Sequence, residues 1–140
     1  MNPIRSGPTI ILGLFALMNL ARGGVHVFSP DGGAGTIAGL DLSTSASTII
    51  PLFALIGVNQ IAVGLFEGYV VAARRDLIAL GLGLQVLLTA GAVANLGFWR
   101  PLPVEVPGET FNMILLPIIV IAWLLAVYGD RKARQDGLQL

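Results

Sequence analysis

The residues able to do chemistry are few, and they sit inside apolar stretches. Asn19, Arg22 and His26 are spaced three and four apart. On a helix that spacing puts them within about 60° of one another, as a single polar stripe. Arg22 is the only basic residue inside an apolar segment, and His26 is the only histidine. Gln60 and Glu67 stand seven apart, two turns along one helical face. Gln85 and Thr89 share another face, and Asn95 and Asn112 follow at the edges of later apolar runs. An ionisable group at mid-bilayer costs about 2.5–3.5 kcal/mol or more, so such groups tend to mark sites. Two chemistries fit them. Arg22 and His26 could receive the polar end of a hydrophobic ligand, with Asn19, Gln60, Thr89, Asn95 and Asn112 around it. Glu67 could serve as a proton-coupled carboxylate. A structural reading stands beside each. Arg22 can snorkel to the interface or clamp an outer loop to the first helix. Glu67 can reach toward Arg74 or Arg75, and the two asparagines can bridge helices.

Other chemistries are excluded by the inventory. There is no cysteine, so disulfides and thiolate relays are absent. One histidine cannot ligate haem twice within a chain, and no His/Asp/Glu set has metal spacing. Asp31-Gly32-Gly33-Ala34-Gly35 lacks the flanking strand, helix and lysine of a phosphate loop. No serine sits in a nucleophile elbow. Eight basic and eight acidic residues balance to zero, which leaves no basic track for nucleic acid. No metal or cofactor is implied.

The elements that must position these residues follow from composition. The chain is 55% hydrophobic and 11% charged, well below the roughly 25% charge of soluble domains. Four long apolar runs each approach or exceed the ~20 residues that cross a bilayer as a helix. The expectation is one domain, residues 1–140, all-α and polytopic. Its helices fall near 9–28, 48–73, 76–98 and 110–128, in an up-down-up-down four-helix transmembrane bundle. The first run could be mistaken for a signal peptide. Cleavage after Ala21 would put Asn19 where a small residue is wanted, so an uncleaved helix is expected. Residues 29–47 form an outer capping loop that opens on Ser29-Pro30-Asp31-Gly32, a type I turn pattern. A short strand or single helical turn is expected around Thr36–Leu42. Pro117 should kink the fourth helix. Gly64 and Gly68 form a small-xxx-small pair suited to helix packing.

Lys and Arg placement sets the orientation. Arg5, Arg74, Arg75, Arg131, Lys132 and Arg134 share one side, with Arg100 on the other. Both termini are expected in the cytoplasm. Counting ~1.5 Å per residue puts Arg22 about 20 Å above the cytoplasmic end of its helix, level with Thr89. Glu67 falls lower, in the cytoplasmic third. Arg22 is therefore expected to meet Gln60, Thr89, Asp31 or Glu109 rather than Glu67.

The four short-looped helices resemble the DoxX-like small four-helix membrane proteins. The motif Arg22-Gly23-x-x-His26-x-Phe28-x-Pro30-Asp31-Gly32-Gly33 and the Arg74-Arg75 turn carry that resemblance. It implies a fold more than an activity. Some members are linked to quinone-dependent or redox membrane complexes, while the cysteines of thiol-relay members are missing here. The functional expectation is a non-catalytic accessory or scaffold subunit in a bacterial inner membrane. It would contact the lipid bilayer and other subunits or copies of itself. The alternatives are a binder of a quinone, sterol or lipid, and a proton-coupled transporter using Glu67.

Overall fold

A computed structural model describes residues 3–102, 104–135 and 137, with side chains from Ser6 onward. The Arg5 side chain, used above for the orientation, lies outside the described residues. The described residues are helical with connecting turns and contain no strand. Helix α1 spans Pro3–Phe28, α2 Ala46–Ala73, α3 Ile78–Ala94 and α4 Pro107–Gln135. A 3-10 turn, Arg75–Leu77, leads into α3, and a π turn, Asn95–Trp99, ends it. Among the described residues, four helices are long and apolar enough to cross a membrane: Ser6–Phe28, Ala46–Ala73, Arg75–Trp99 and Pro107–Gln135.

Two helix ends differ most from the sequence expectation. Helix α1 begins at Pro3 rather than residue 9, because proline is tolerated in a first turn where the N–H has no partner. Helix α4 continues to Gln135 rather than 128. Ala126, Gly129 and Ala133 keep one buried face, while Arg131, Lys132 and Arg134 are exposed. Basic groups in that last turn suit the helix dipole. The expected structure near Thr36–Leu42 is neither strand nor helix. Turns run through Ala38, and residues 39–42 are irregular. Helix α4 runs on as one element through Pro117.

Helix α1 is the hub. It packs along the whole of α2 and also against α3 and α4. Helices α3 and α4 form the second hairpin, while α2 touches α3 only lightly. Lipid offers no hydrophobic drive between helices, so close packing must hold them together. Glycines supply it. A Cβ on Gly23 would lie 2.7 Å from the Gly57 carbonyl oxygen, and one on Gly57 would lie 2.8 Å from that of Gly23. Further along the same seam, a Cβ on Gly64 would lie 2.9 Å from the Ala16 carbonyl oxygen and from Leu20. Gly81 leaves room for Leu12 in the same way. The helix contact expected of Gly64 and Gly68 is thus made by Gly57 and Gly64. Gly68 faces open space, with nothing within 4 Å of an added Cβ.

The interior is layered. At the end of the bundle that holds the α2–α3 turn, Leu12, Phe15, Val70, Ile78, Leu82, Ile119, Ala122 and Ala126 form an apolar cluster. Outward of it lie the buried polar side chains Asn19, Glu67, Gln85 and Thr89. Large apolar side chains such as Leu17, Leu87 and Ile121 point outward to the lipid.

Candidate functional site

Four buried polar side chains from three helices form one chain of hydrogen bonds. The Asn19 amide on α1 donates to Glu67 Oε2 on α2 at 2.9 Å. The same nitrogen lies 3.3 Å from Gln85 Oε1 on α3. Gln85 Nε2 in turn reaches Thr89 Oγ1 at 3.3 Å, one turn along α3. The first contact has ordinary length, and the two at 3.3 Å are long, so Asn19–Glu67 is the strong link.

Glu67 is fully buried, at 0% exposure. Its Oε1 has no hydrogen-bond partner among the described residues, and neither has the buried Gln60 Oε1, two turns outward on the same face. No Lys or Arg forms an ion pair with Glu67 among the described residues. Buried polar atoms are usually satisfied, and each exception calls for an explanation.

The depth argument kept Arg22 from Glu67, and no ion pair joins the two among the described residues. Asn19, at the near end of the stripe, is the residue that reaches Glu67. Gly57 packs on Gly23 and Gly64 on Ala16 and Leu20, and the Asn19 side chain spans that seam to Glu67. Glu67 therefore does not reach for Arg74. That arginine is exposed and is engaged by Asp76 through contacts of 2.9 and 2.7 Å.

The outer end of the stripe has a different job. His26 Nδ1 donates to the Gly32 carbonyl oxygen at 2.6 Å, which fixes the tautomer with the proton on Nδ1. Its ring meets Phe53 of α2 edge-on, with centroids 5.3 Å apart. His26 so ties the capping loop to both α1 and α2. The loop holds itself with Asp31. Its carboxylate accepts from the N–H groups of Thr36 at 2.7 Å, Gly33 at 2.8 Å and Gly35 at 3.1 Å. These bonds hold the Asp31 carboxyl below its ordinary range, with Thr36 first and Gly33 second. Gly32 N donates back to Ser29 O at 3.0 Å, closing the turn read from Ser29-Pro30-Asp31-Gly32. Gly32 and Gly33 have φ of +61° and +75°, a region glycine enters without strain.

Arg22 is half-buried and pairs with neither Asp31 nor Glu109 among the described residues. Its guanidinium lies against the first turn of α4, where a Cβ on Gly108 would be 3.3 Å from Nη2. Asn95 is exposed and Asn112 half-buried. Neither makes a side-chain hydrogen bond among the described residues, so the bridges expected of them are not formed.

Of the residues singled out by sequence, Asn19, Thr89 and Glu67 come together, and Gln60 lies on the same face of α2. Arg22, His26, Asn95 and Asn112 stand apart from that cluster. Gln85 is the member that sequence reasoning undervalued. Its position four before Thr89 was the signal, since both must then face the same way. Among the described residues no group of three or more His, Cys, Asp or Glu side chains is placed to hold a metal ion.

The chain is thus a polytopic bundle of four apolar helices with a polar centre and a latched outer loop. Comparison with family models, curated proteins and solved structures finds no match.

Proposed function

We propose that this chain is a small, non-catalytic integral membrane protein that holds a hydroxyl-bearing hydrophobic molecule in the bundle, its polar end at Glu67 and Gln60. The observation that carries this reading is the pair of buried oxygens without partners, Glu67 Oε1 and Gln60 Oε1. Both are acceptors when Glu67 is ionised, so the group that satisfies them is a donor. A sterol or other lipid hydroxyl supplies one. A quinone carbonyl is itself an acceptor and could satisfy neither oxygen unless Glu67 were protonated. Arg22 then sits above the site, toward the outer mouth, and His26 closes the loop over it.

The test is co-purification. The protein is extracted in mild detergent, and bound hydrophobic molecules are identified by mass spectrometry. Glu67→Gln and Gln60→Leu should each lower the retained molecule severalfold relative to Leu14→Ala on the lipid face. Equal retention in all three would sink the reading.

An accessory or scaffold role is the second reading. The observation that favours it is the wide bare face of α2, the least buried of the four helices. It predicts a stoichiometric membrane partner on gentle pull-down. The resemblance to DoxX-like proteins and a bacterial inner-membrane location belong to the same proposal. So does the placement of both termini in the cytoplasm, which the exposed Arg74, Arg75, Arg131, Lys132 and Arg134 support. Reporter fusions at each end and in the 29–47 loop would test that orientation.

A further inference from the structure

A further polar residue of α2 lies outside the network described above. Asn59 is next to Gln60 in sequence but about 100° away around α2, and it faces outward. Helix α2 spans Ala46–Ala73, which puts Asn59 at its midpoint and so near the bilayer midplane. Its Nδ2 donates to the Leu55 carbonyl oxygen at 3.0 Å, within its own helix. That single bond leaves the second amide hydrogen and the Oδ1 acceptor exposed to the surroundings. In hydrocarbon no solvent can satisfy them.

Leu52, Leu55, Asn59 and Ala62 form a stripe at three- and four-residue spacing, and Tyr69 follows seven residues after Ala62 on the same face. All five are exposed, with Leu52, Leu55 and Tyr69 each more than half so. The spacing is that of a helix seam, with one asparagine near its middle and a small residue beside it. Comparable lipid-facing positions on α1 and α4, such as Leu14, Leu17, Ile121 and Leu124, are apolar.

We infer that the Leu52–Leu55–Asn59–Ala62 face of α2 is the contact surface for a second copy of this chain, with the two Asn59 amides hydrogen-bonded to each other across a two-fold axis. The amide itself identifies the partner. A primary amide carries donor and acceptor on one group, so it is complementary to its own copy. Two copies share one orientation in the membrane, so their α2 helices run parallel and residue 59 meets residue 59 at the same depth. A two-fold contact requires this kind of self-complementarity. Ala62, one turn away, lets the backbones approach. The remainder of α2 does not compete for this face, because its seam with α1 runs through Gly57 and Gly64 on another side.

The chain has no cysteine, so single-cysteine variants report unambiguously. Ala62→Cys in native membranes should give a disulfide-linked dimer on mild oxidation. Leu87→Cys on α3 and Leu124→Cys on α4 should give little. Asn59→Leu, measured by energy transfer between labelled copies in liposomes, should weaken dimerisation by about three- to twentyfold, the span of interhelical hydrogen bonds in membranes. Asn59→Gln, which keeps the amide, should restore most of it. Equal cross-linking at all three positions would overturn the inference, as would unchanged association in Asn59→Leu. Far-UV circular dichroism confirms that each variant is folded. A different membrane protein cross-linked through Ala62→Cys in place of a second copy would also overturn it.

Discussion

Removing the Asn19 side chain gives the sharpest test of the polar centre. In Asn19→Ala, Glu67 Oε2 loses its donor and becomes the second orphaned oxygen of that carboxyl, and Gln85 Oε1 loses its contact too. Interhelical hydrogen bonds in membranes average about 0.6 kcal/mol and reach about 1.7. The 2.9 Å bond belongs near the top of that range and the 3.3 Å contact near the bottom, which totals roughly 1.5–2.5 kcal/mol. Truncation also removes packing, so the single mutant alone proves little. A double-mutant cycle with Glu67→Ala isolates the pair and should give a coupling of about 0.6–1.7 kcal/mol. The matching cycle with Gln85→Ala should give less than about half of that. Reversible unfolding in mixed micelles of increasing SDS fraction, followed by circular dichroism, reads both. Additive effects at Asn19 and Glu67 within about 0.3 kcal/mol would refute the idea that Asn19 holds Glu67 in place.

Three further outcomes follow from the same structure. Gly57→Ala should destabilise by about 1–3 kcal/mol, since the new Cβ would lie 2.7 Å from His26 Cβ, whereas Gly68→Ala, with open space around it, should stay within about 0.5 kcal/mol; thermal unfolding in detergent compares them. Asp31 is held below its ordinary value of 3.8, so its contribution to loop order is full above that value and is lost as pH falls through the lower folded value. Hydrogen exchange at the Gly33, Gly35 and Thr36 amides should therefore accelerate below pH 3.8, and Asp31→Ala should show the fast exchange at neutral pH. Asp76→Asn removes an ion pair whose side chains are 47% and 41% exposed, and should change stability by no more than about 1 kcal/mol in the same unfolding assay.

The helices were legible because each apolar run approaches or exceeds the length that lipid demands. Their faces were legible too. Gln60 and Glu67, seven apart, and Gln85 and Thr89, four apart, do point inward. What could not be read was which side chains would join across the seam. Counting depth kept Arg22 from Glu67, and no ion pair joins them among the described residues. It did not show that Asn19, three residues nearer, would reach Glu67 across the seam of Gly23, Gly57 and Gly64. The role of His26 was equally hidden. Its partner is a backbone oxygen, Gly32, and a carbonyl six residues away leaves no mark in side-chain spacing.

The pairing of Asn19 with Glu67 bears on how the chain enters the bilayer. Helix α1 carries Asn19, Arg22 and His26, and has the lowest hydropathy of the four spans, 1.6. Helix α2 brings a carboxyl. Either would face the lipid during synthesis with polar groups uncovered. The glycine seam and the Asn19–Glu67 bond lie between these two consecutive helices, with no contribution from later ones. Both can form as soon as α2 leaves the ribosome. The first half of the chain is thereby suited to enter the membrane as a closed hairpin, its polar groups already turned toward each other, and α3 then arrives to add Gln85 to a bond that exists.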